Sequence, residues 1–247
     1  MGEQRVAIIT GAARGIGRAI AQALSRQGAA TVIADIDAEG ARRVAQEIEG
    51  SGGRALAIPA DVSIPAQVAD MVREAADQLG RIDILVNNAG ILSATSIEAL
   101  REDEWDRVMA INVKSAVFAS QQALPWMIRQ GWGRIINISS LSGRMGGVSA
   151  GCAYSASKAA LIGLTMSLAR QTAGKGITVN AVAPGTTRSD IIRRFSAEQM
   201  ERIMRSIPVG RLGEPEEIAA LVAFLAQDTA GFITGAVIDI NGGMFMG

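Results

Sequence analysis

The residue types best suited to chemistry lie in one short stretch, Tyr154-Ser-Ala-Ser-Lys158, with Ser140 ahead of it. Tyr154 is the only tyrosine in the 247 residues. If this stretch is helical, Tyr154 and Lys158 project from one face, about 5 to 6 Å apart. An ammonium at that distance would lower the pKa of the phenol toward the range of a general acid or base. A buried tyrosine without a catalytic role, beside a lysine that reaches solvent, would show the same spacing. Other parts of the chain must therefore distinguish a catalytic pair from a structural one.

A nearby serine and the absence of histidine narrow the chemistry further. Ser140 ends the strand-like run 134–140 and would present a second hydroxyl to the same substrate oxygen. The chain contains no histidine, which excludes Ser-His-Asp and Cys-His mechanisms and zinc sites that need imidazole. No metal site is expected, so the chemistry must use tyrosine, lysine, serine, a carboxylate or a bound cofactor.

The elements that position these residues follow from hydrophobic patterning. Short β-branched runs alternate with longer amphipathic stretches along the whole chain, which is typical of strand–helix units around a parallel sheet. The predicted strands cover 6–10, 30–34, 55–58, 84–87, 134–139, 178–183 and 237–240. No linker, repeat or low-complexity segment interrupts the pattern, so residues 1–247 are predicted to form one domain.

A glycine-rich turn follows the first predicted strand, in the sequence Thr10-Gly-Ala-Ala-Arg-Gly-Ile-Gly17. Glycines there allow backbone N–H groups and a helix N-terminus to approach a pyrophosphate. Asp35 follows the second strand, where a carboxylate accepts from the hydroxyls of an adenosine ribose. The turn alone also fits a plain strand–helix connection, but the turn and Asp35 together predict a dinucleotide site.

Polar residues follow two more predicted strands. Asp61-Val62 comes after the third strand, and Asn87 to Gly90 after the fourth. Both groups therefore fall at the carboxyl edge of the sheet, where open α/β folds bind ligands. Taken singly, these residues would be ordinary turn formers.

The sequence resembles the short-chain dehydrogenase/reductase family over nearly the full length of the chain, because the family's motifs occur in the same order. The matching positions are Thr10 to Gly17, Asp61, Asn87 to Gly90, Asn112, Ser140, Tyr154, Lys158, Pro184-Gly185, Arg211 to Pro215 and Gly235 to Gly243. The resemblance implies a Rossmann-type, doubly wound sheet of seven parallel strands with helices on both faces, and a nicotinamide cofactor.

The resemblance also implies a catalytic set of Asn112, Ser140, Tyr154 and Lys158. Tyr154 would be the acid/base and Ser140 would hold the substrate oxygen. Lys158 would bind the nicotinamide ribose and lower the pKa of the tyrosine, and Asn112 would support a proton-relay water. This agrees with the chemistry of hydride addition to a carbonyl, in which oriented donors must stabilise the charge that develops on oxygen.

The cofactor residues expected from the motifs and the resemblance form a longer set. They are Gly11, Arg14, Gly15, Ile16, Gly17, Asp35, Ile36, Asp61, Val62, Asn88, Ala89, Gly90, Tyr154, Lys158, Pro184, Gly185, Thr187 and Ser189. The backbone near Thr187 and the hydroxyl of Ser189 would contact the nicotinamide carboxamide. The family more often has threonine at position 189 and an apolar residue at 187.

Two residues favour different cofactors. Arg14 stands where related enzymes often pair a basic residue with the 2′-phosphate of NADP. A carboxylate at Asp35 within about 4 Å of that phosphate would cost about 4 kcal/mol per unit charge at an effective dielectric of 20, whereas an exposed arginine can turn into water at little cost. We therefore expect NAD, with NADP as the alternative.

The substrate is less constrained. The segment 144–153 is expected to line the pocket, and its small, apolar residues favour a modest, non-ionic carbonyl or alcohol, although Arg144 could point inward. The stretch 190–207 fits either a substrate lid or a surface helix. Overall, the pattern leans toward the 3-oxoacyl-[acyl-carrier-protein] reductases, which generally use NADP and hold an acidic carrier on two basic residues. Lys175 matches one of them, but Gly131 replaces the other.

Three classes of function therefore remain open: a secondary alcohol or polyol dehydrogenase, a 3-oxoacyl carrier-protein reductase, and an NAD-sensing scaffold without turnover. A scaffold would be expected to lose Tyr154 or Lys158, and both are present.

Charge and cysteine content bear on partners and location. With 24 basic and 24 acidic residues, the chain lacks the basic excess that nucleic acid or an anionic membrane would require. The single cysteine, Cys152, allows no internal disulfide and fits a reducing cytoplasm. By resemblance, we expect a homotetramer formed through residues 105–127, 154–173 and 232–247.

Overall fold

The computed structural model describes residues 4–147, 150–188 and 196–247. Seven parallel strands form one sheet in the order β3-β2-β1-β4-β5-β6-β7. Their bounds are β1 (Val6–Thr10), β2 (Ala30–Asp35), β3 (Ala55–Pro59), β4 (Ile84–Asn87), β5 (Gly133–Ile138), β6 (Ile177–Pro184) and β7 (Val237–Ile240). The strand ends differ from the predicted ones by one residue at most.

The helices lie on both faces of this sheet. They are α1 (Gly15–Arg26), α2 (Ala38–Gly50), α3 (Pro65–Leu79), α4 (Glu102–Met109), α5 (Ser115–Gln130), α6 (Leu141–Met145), α7 (Cys152–Thr172), α8 (Ala197–Arg205) and α9 (Pro215–Leu225). A π-helical turn, Ala110–Lys114, joins α4 to α5. The predicted doubly wound α/β architecture is confirmed.

Alternation along the strands explains why both faces are covered. In β1, Ile9 packs with α1, α2 and α9, whereas Ile8 packs with α3, α5 and α7. All five residues of β1 are buried, as expected for a central strand of a parallel sheet. Two hydrophobic cores, one on each side, therefore hold the sheet.

The strand order also determines where a ligand can bind. From β1 the chain moves outward to β3, and then crosses to β4 on the other side of β1 and moves outward to β7. The order reverses between β1 and β4, so a crevice opens at their carboxyl ends, next to Thr10 and Asn87. In the part of the chain that is described, no helix is long and apolar enough to cross a membrane.

Candidate active site

The glycine-rich turn between β1 and α1 is packed too closely for side chains. Gly11 and Gly15 have positive φ angles of 64° and 54°. A Cβ atom on Gly17 would lie 2.2 Å from the carbonyl oxygen of Gly11, and one on Gly11 would lie 2.8 Å from Ala89 Cα. The turn therefore presents its backbone closely at the crevice, which is the arrangement that a pyrophosphate requires.

Residues around the turn support it in different ways. Asn88 donates from Nδ2 to the carbonyl oxygens of Thr10 and Gly11, both at 2.9 Å. The backbone N–H groups of Asn88 and Ala89 donate to Thr10 Oγ1, both at 3.1 Å. Ile16 packs against the core beneath α1. Asn88 thus acts on the turn itself, which the sequence did not indicate.

Asp35 is held firmly at the end of β2. Its Oδ2 accepts from the Ala13 N–H and its Oδ1 from the Asp37 N–H, each at 2.9 Å. Because a carboxylate has about four acceptor positions, these two bonds orient it and leave acceptor positions for ligand hydroxyls. Ile36, beside it, is 72% exposed, and Arg14 at the start of α1 is also exposed.

Asp61 and Val62 lie one strand further out. Asp61 Oδ1 accepts from the N–H and the hydroxyl of Ser63, at 2.9 and 2.7 Å. The Asp61 N–H donates to Gln67 Oε1 at 2.8 Å. Val62 is buried in the core on the α3 side. The carboxylate thus shapes the loop that follows β3 at the same sheet edge.

Asn112 occupies the π-helical turn between α4 and α5, a feature often found at functional sites. Its Oδ1 accepts from the Ile91 N–H at 2.8 Å, and its Nδ2 donates to the Ile91 oxygen at 3.0 Å. Nδ2 also donates to Ser157 Oγ at 2.9 Å, and that hydroxyl donates to the Tyr154 carbonyl at 2.7 Å. Asn112 therefore ties the loop after β4 to the helix that carries Tyr154. Ser157 was missed in the sequence, although a serine three positions after Tyr154 on a helix was the available signal.

Lys158 is buried beside the same loop. Its Nζ donates to the Ile138 carbonyl at 2.8 Å and lies 5.8 Å from the centroid of the Tyr154 ring. A Cβ on Gly90 would lie 3.2 Å from this Nζ and 3.3 Å from Asn112 Oδ1. Burial lowers the pKa of Lys158 to about 8. A side chain at position 90 would therefore crowd both the ammonium and the Asn112 amide.

Ser140 stands at the beginning of α6 and faces Tyr154. As the N-cap residue it accepts from the Ser142 N–H at 3.1 Å. A hydrogen bond from its side chain lowers the pKa of Tyr154, but burial raises that pKa and is the larger effect. Ser139 points elsewhere, since its hydroxyl donates to the Lys158 carbonyl at 2.7 Å. Of these two neighbouring serines, Ser140 is therefore the one whose side chain meets the tyrosine.

The prediction that Lys158 lowers the pKa of Tyr154 is wrong for the protein chain alone. Burial of the phenol outweighs the other effects and raises its pKa. Burial also makes the lysine a weaker base, and one of its donors goes to a backbone carbonyl. The spacing predicted the proximity of the two groups correctly, but desolvation decides the direction.

The loop after β6 lies at the same edge. Gly185 is in tight contact with the C-terminal segment, because a Cβ there would lie 2.8 Å from Asn241 Cα. Thr187 is buried and donates from Oγ1 to the Gly185 carbonyl at 3.1 Å. Pro184 is buried at the end of β6. Ser189, the other predicted contact of the carboxamide, lies outside the described residues.

The pocket segments are described in part. Arg144 forms an ion pair with Asp239, with 3.2 Å between its Nη2 and Asp239 Oδ2. Residues 190–195 of the predicted lid lie outside the described residues, and the rest contains α8 and the buried Ile207. A small cavity of about 150 Å³ lies between Ile207, the turn at Gly185 and Gly242.

Comparisons with known proteins are consistent with this geometry. A family model described as "Enoyl-(Acyl carrier protein) reductase" matches residues 11–245. The chain is 42% identical over 245 residues to 3-oxoacyl-[acyl-carrier-protein] reductase FabG of Vibrio cholerae, which covers 99% of this chain and 98% of that protein. It is 41% identical to FabG of Escherichia coli, with the same coverage, and 44% identical to FabG of Staphylococcus aureus, with 97% and 98% covered. The crystal structure of gox2181 superposes with a TM-score of 0.95 at 34% identity and covers 98% of this chain and 96% of that one.

Proposed function

We infer the function from one premise: this chain belongs to the short-chain dehydrogenase/reductase family. It is an NAD(P)-dependent oxidoreductase that acts on CH–OH and keto groups. We propose that it transfers a hydride between NAD(H) and a ketone or secondary alcohol. The observation that carries the proposal is the convergence of Ser140, Tyr154 and Lys158 beside Gly90 at the carboxyl edge of the sheet.

The residues present fit a dinucleotide. The close contacts at Gly11 and Gly17 leave a backbone cradle at the start of α1, and Asp35 presents an oriented carboxylate beside it. Lys158 Nζ, opposite Gly90, would hold the nicotinamide ribose. When bound, the nicotinamide supplies or accepts the hydride.

Tyr154 and Ser140 would act on the substrate oxygen. During reduction, negative charge develops on that oxygen, and two hydroxyl donors stabilise it. Because burial raises the pKa of Tyr154, the phenol keeps its proton at neutral pH and can donate it from Oη as the alkoxide forms. The Ser140 hydroxyl would remain bonded to the same oxygen.

Asp35 supports NAD(H) over NADP(H). Both of its oxygens already accept backbone hydrogen bonds, so the carboxylate cannot turn away from a 2′-phosphate without losing them. Arg14 is exposed, so its guanidinium can turn into water. Repulsion of the phosphate by a fixed carboxylate should outweigh attraction by a mobile guanidinium.

A second candidate is reduction of a 3-oxoacyl thioester on an acyl carrier protein with NADP(H). The names of the 40–44% identical relatives favour it. Lys175 is exposed and would serve an acidic carrier. Gly131, however, ends α5 with a φ of 65°, a conformation in which a basic side chain would be strained.

The two candidates separate in one experiment. Purified protein is incubated with NADH or NADPH and a panel of ketones, 3-oxoacyl thioesters and sugar alcohols, and nicotinamide oxidation or reduction is followed by absorbance. We expect turnover of a ketone or secondary alcohol with NAD(H). Preference for a 3-oxoacyl thioester with NADPH would support the second candidate, and binding of NADH without turnover of any compound would indicate a scaffold.

We also propose a homotetramer, with no nucleic acid or membrane partner. Support comes from exposed apolar side chains on the predicted contact helices, including Trp105, Val117 and Met166. Near the C-terminal strand, Phe232 is fully exposed and Met246 is 79% exposed. A cytoplasmic location remains a proposal supported by the single cysteine.

A further inference from the structure

Arg144 and Asp239 form an ion pair that links α6 to β7. Arg144 Nη2 lies 3.2 Å from Asp239 Oδ2, and the two side chains are only 23% and 17% exposed. The guanidinium carbon of Arg144 also lies 4.9 Å from the centroid of the Phe245 ring. The pair therefore connects the short helix after Ser140 to the edge strand and the C-terminal segment.

The Arg144 end of the pair lies in the helix that Ser140 begins. Ser140 is the N-cap residue of α6, and Arg144 lies in its last turn. At Gly143 the helix rests on the backbone of α7, where a Cβ would lie 2.6 Å from the carbonyl carbon of Lys158. A small shift of α6 would therefore move the Ser140 hydroxyl relative to Tyr154.

The Asp239 end belongs to a rigid part of the fold. Asp239 pairs in register with Ala183 of β6, and the next pair is Pro184 with Ile240. The Gly185 N–H donates to the Ile240 carbonyl at 2.9 Å. Asp239 is thus anchored directly beneath the loop expected to contact the nicotinamide.

The pair is poorly built for stability alone. Among the described residues, neither Arg144 Nε nor Asp239 Oδ1 has a hydrogen-bond partner, although both atoms are buried. Burial raises the pKa of Asp239, because the carboxylate loses hydration that the charge of Arg144 only partly replaces. Buried pairs of this kind are often no more stabilising than apolar side chains of similar volume. A contribution to stability is therefore not enough to explain the pair.

We propose that Arg144 and Asp239 are positioning residues that hold α6 so that the Ser140 hydroxyl meets Tyr154. The inference rests on the proposed roles of Ser140 and Tyr154. It concerns the geometry of these two hydroxyls, however, and can be measured without turnover.

The single tyrosine makes this measurement direct. Tyrosinate absorbance during a pH titration reports the pKa of Tyr154 alone, because the chain contains no other tyrosine. Ser140→Ala should raise this pKa, since the Ser140 hydrogen bond lowers it. Loss of one hydrogen bond corresponds to a rise of about 0.4 to 1 in pKa. Arg144→Ala and Asp239→Ala should cause a rise of similar size.

Asp239→Ala is the decisive variant. If the pair acted only through its charges, removal of a negative charge would lower the pKa of Tyr154. Loss of positioning raises it instead, so the sign separates the two explanations. In a Ser140→Ala background, Asp239→Ala should cause no further rise, because the interaction through which it acts is already gone.

Arg5→Ala is a matched control. Arg5 also pairs with a carboxylate, Asp228, at 2.7 Å and also lies over an aromatic ring, 3.8 Å from the Trp132 centroid. Arg5 precedes β1 at the amino ends of the strands, away from the carboxyl ends where the proposed site lies, so its loss should leave the Tyr154 titration unchanged. An unchanged or lowered pKa in Asp239→Ala, or a rise as large in Arg5→Ala, would overturn the inference.

Turnover gives a second measure in the active protein. Arg144→Ala and Asp239→Ala should lower kcat about 10- to 100-fold, the effect of a misplaced catalytic group, with little change in the Kd for NADH. Inactivity of the parent protein on the whole substrate panel would contradict the proposed function. The titration would still decide the positioning inference.

Discussion

At the scale of single residues, burial shifts the pKa values of Tyr154 and Lys158, the two titratable groups of the proposed catalytic set. It raises the pKa of Tyr154 and lowers that of Lys158 to about 8. In both cases the neutral form is favoured, because the charged form loses its hydration. At pH 7 the tyrosine is therefore protonated and can donate a proton. The lysine is still charged at that pH, and burial of the charge lowers the stability of the folded state.

Lys158→Met should stabilise the protein at pH 7 while it removes activity. A shift of the lysine pKa from 10.5 to about 8 corresponds to a cost of about 3 kcal/mol when the ammonium is buried. Between those values the unfolded chain binds more protons than the folded one, so the parent gains stability as pH rises. The advantage of the variant should therefore shrink from pH 7 to pH 10.5 in urea denaturation. Lys175→Met, at an exposed lysine, is the control, and an advantage that is independent of pH would contradict the cost of burial.

Asp35 and Arg14 should set cofactor preference together. We expect the parent to prefer NAD(H) by about tenfold or more in kcat/KM, equivalent to about 1.4 kcal/mol. Asp35→Ser removes both the ribose acceptor and the repulsion, so NADP(H) activity should rise while NAD(H) activity falls. Arg14→Ala should matter little in the parent but abolish that gain in the Asp35→Ser background. Initial rates of the four proteins with each cofactor test this, and a parent that prefers NADPH would show that Arg14 sets the choice.

Residue identities in the site could be predicted to different extents. Tyr154 and Lys158 follow from helical spacing, and Asp35 from its place after a strand. The direction in which the tyrosine pKa shifts could not be predicted, because desolvation depends on packing and the spacing of residues does not describe packing. The pairing of Arg144 with Asp239 could not be predicted either, because the two residues are far apart in the sequence.

At the scale of elements, the turn between β1 and α1 depends on the absence of side chains. Gly17→Ala would place a Cβ 2.2 Å from the backbone oxygen of Gly11, so the turn must shift. We expect a loss of about 1–3 kcal/mol in unfolding free energy and a clear rise in the Kd for NADH, measured by fluorescence. Gly50→Ala, at the exposed end of α2, is the matched control, because among the described residues only its chain neighbours and the backbone of its own helix can lie within 4 Å of that Cβ position. Equal NADH affinity in the two variants would contradict the role of the turn.

The regular elements were largely predictable, and the irregular ones were not. Runs such as Val6–Thr10 are apolar throughout because both faces are buried, which makes a central strand easy to recognise. The π-helical turn at Asn112 and the five-residue α6 carry no comparable periodic signal. Both position side chains of the proposed catalytic set, so the sequence indicated these residues better than it indicated the elements that orient them.

At the scale of the whole molecule, the sheet topology brings residues from distant parts of the chain to one crevice. The ends of β1, β4, β5 and β6 supply the glycine turn, Gly90, Ser140 and Gly185 at the same edge. Because the strands are parallel, each carboxyl end points to this side. The sequence order of the motifs was therefore enough to predict their convergence.

The proposed homotetramer also concerns the molecule as a whole. We expect light scattering at micromolar concentration to give a mass of four times the 25.7 kDa chain. Phe232→Ser should weaken the assembly, because it removes a fully exposed aromatic side chain from the proposed contact region. Ile36→Ser, at another exposed apolar residue outside that region, is the control. A monomeric mass for the parent would contradict the tetramer.

If Tyr154 donates the proton during hydride transfer, Tyr154→Phe should remove most of the activity. Phenylalanine retains the ring but lacks the hydroxyl, so it should preserve packing and the NADH site. With the best ketone or thioester found in the panel, we expect kcat to fall by about two to four orders of magnitude while the Kd for NADH stays nearly unchanged. If this variant kept most of the parent kcat, Tyr154 would not be the proton donor.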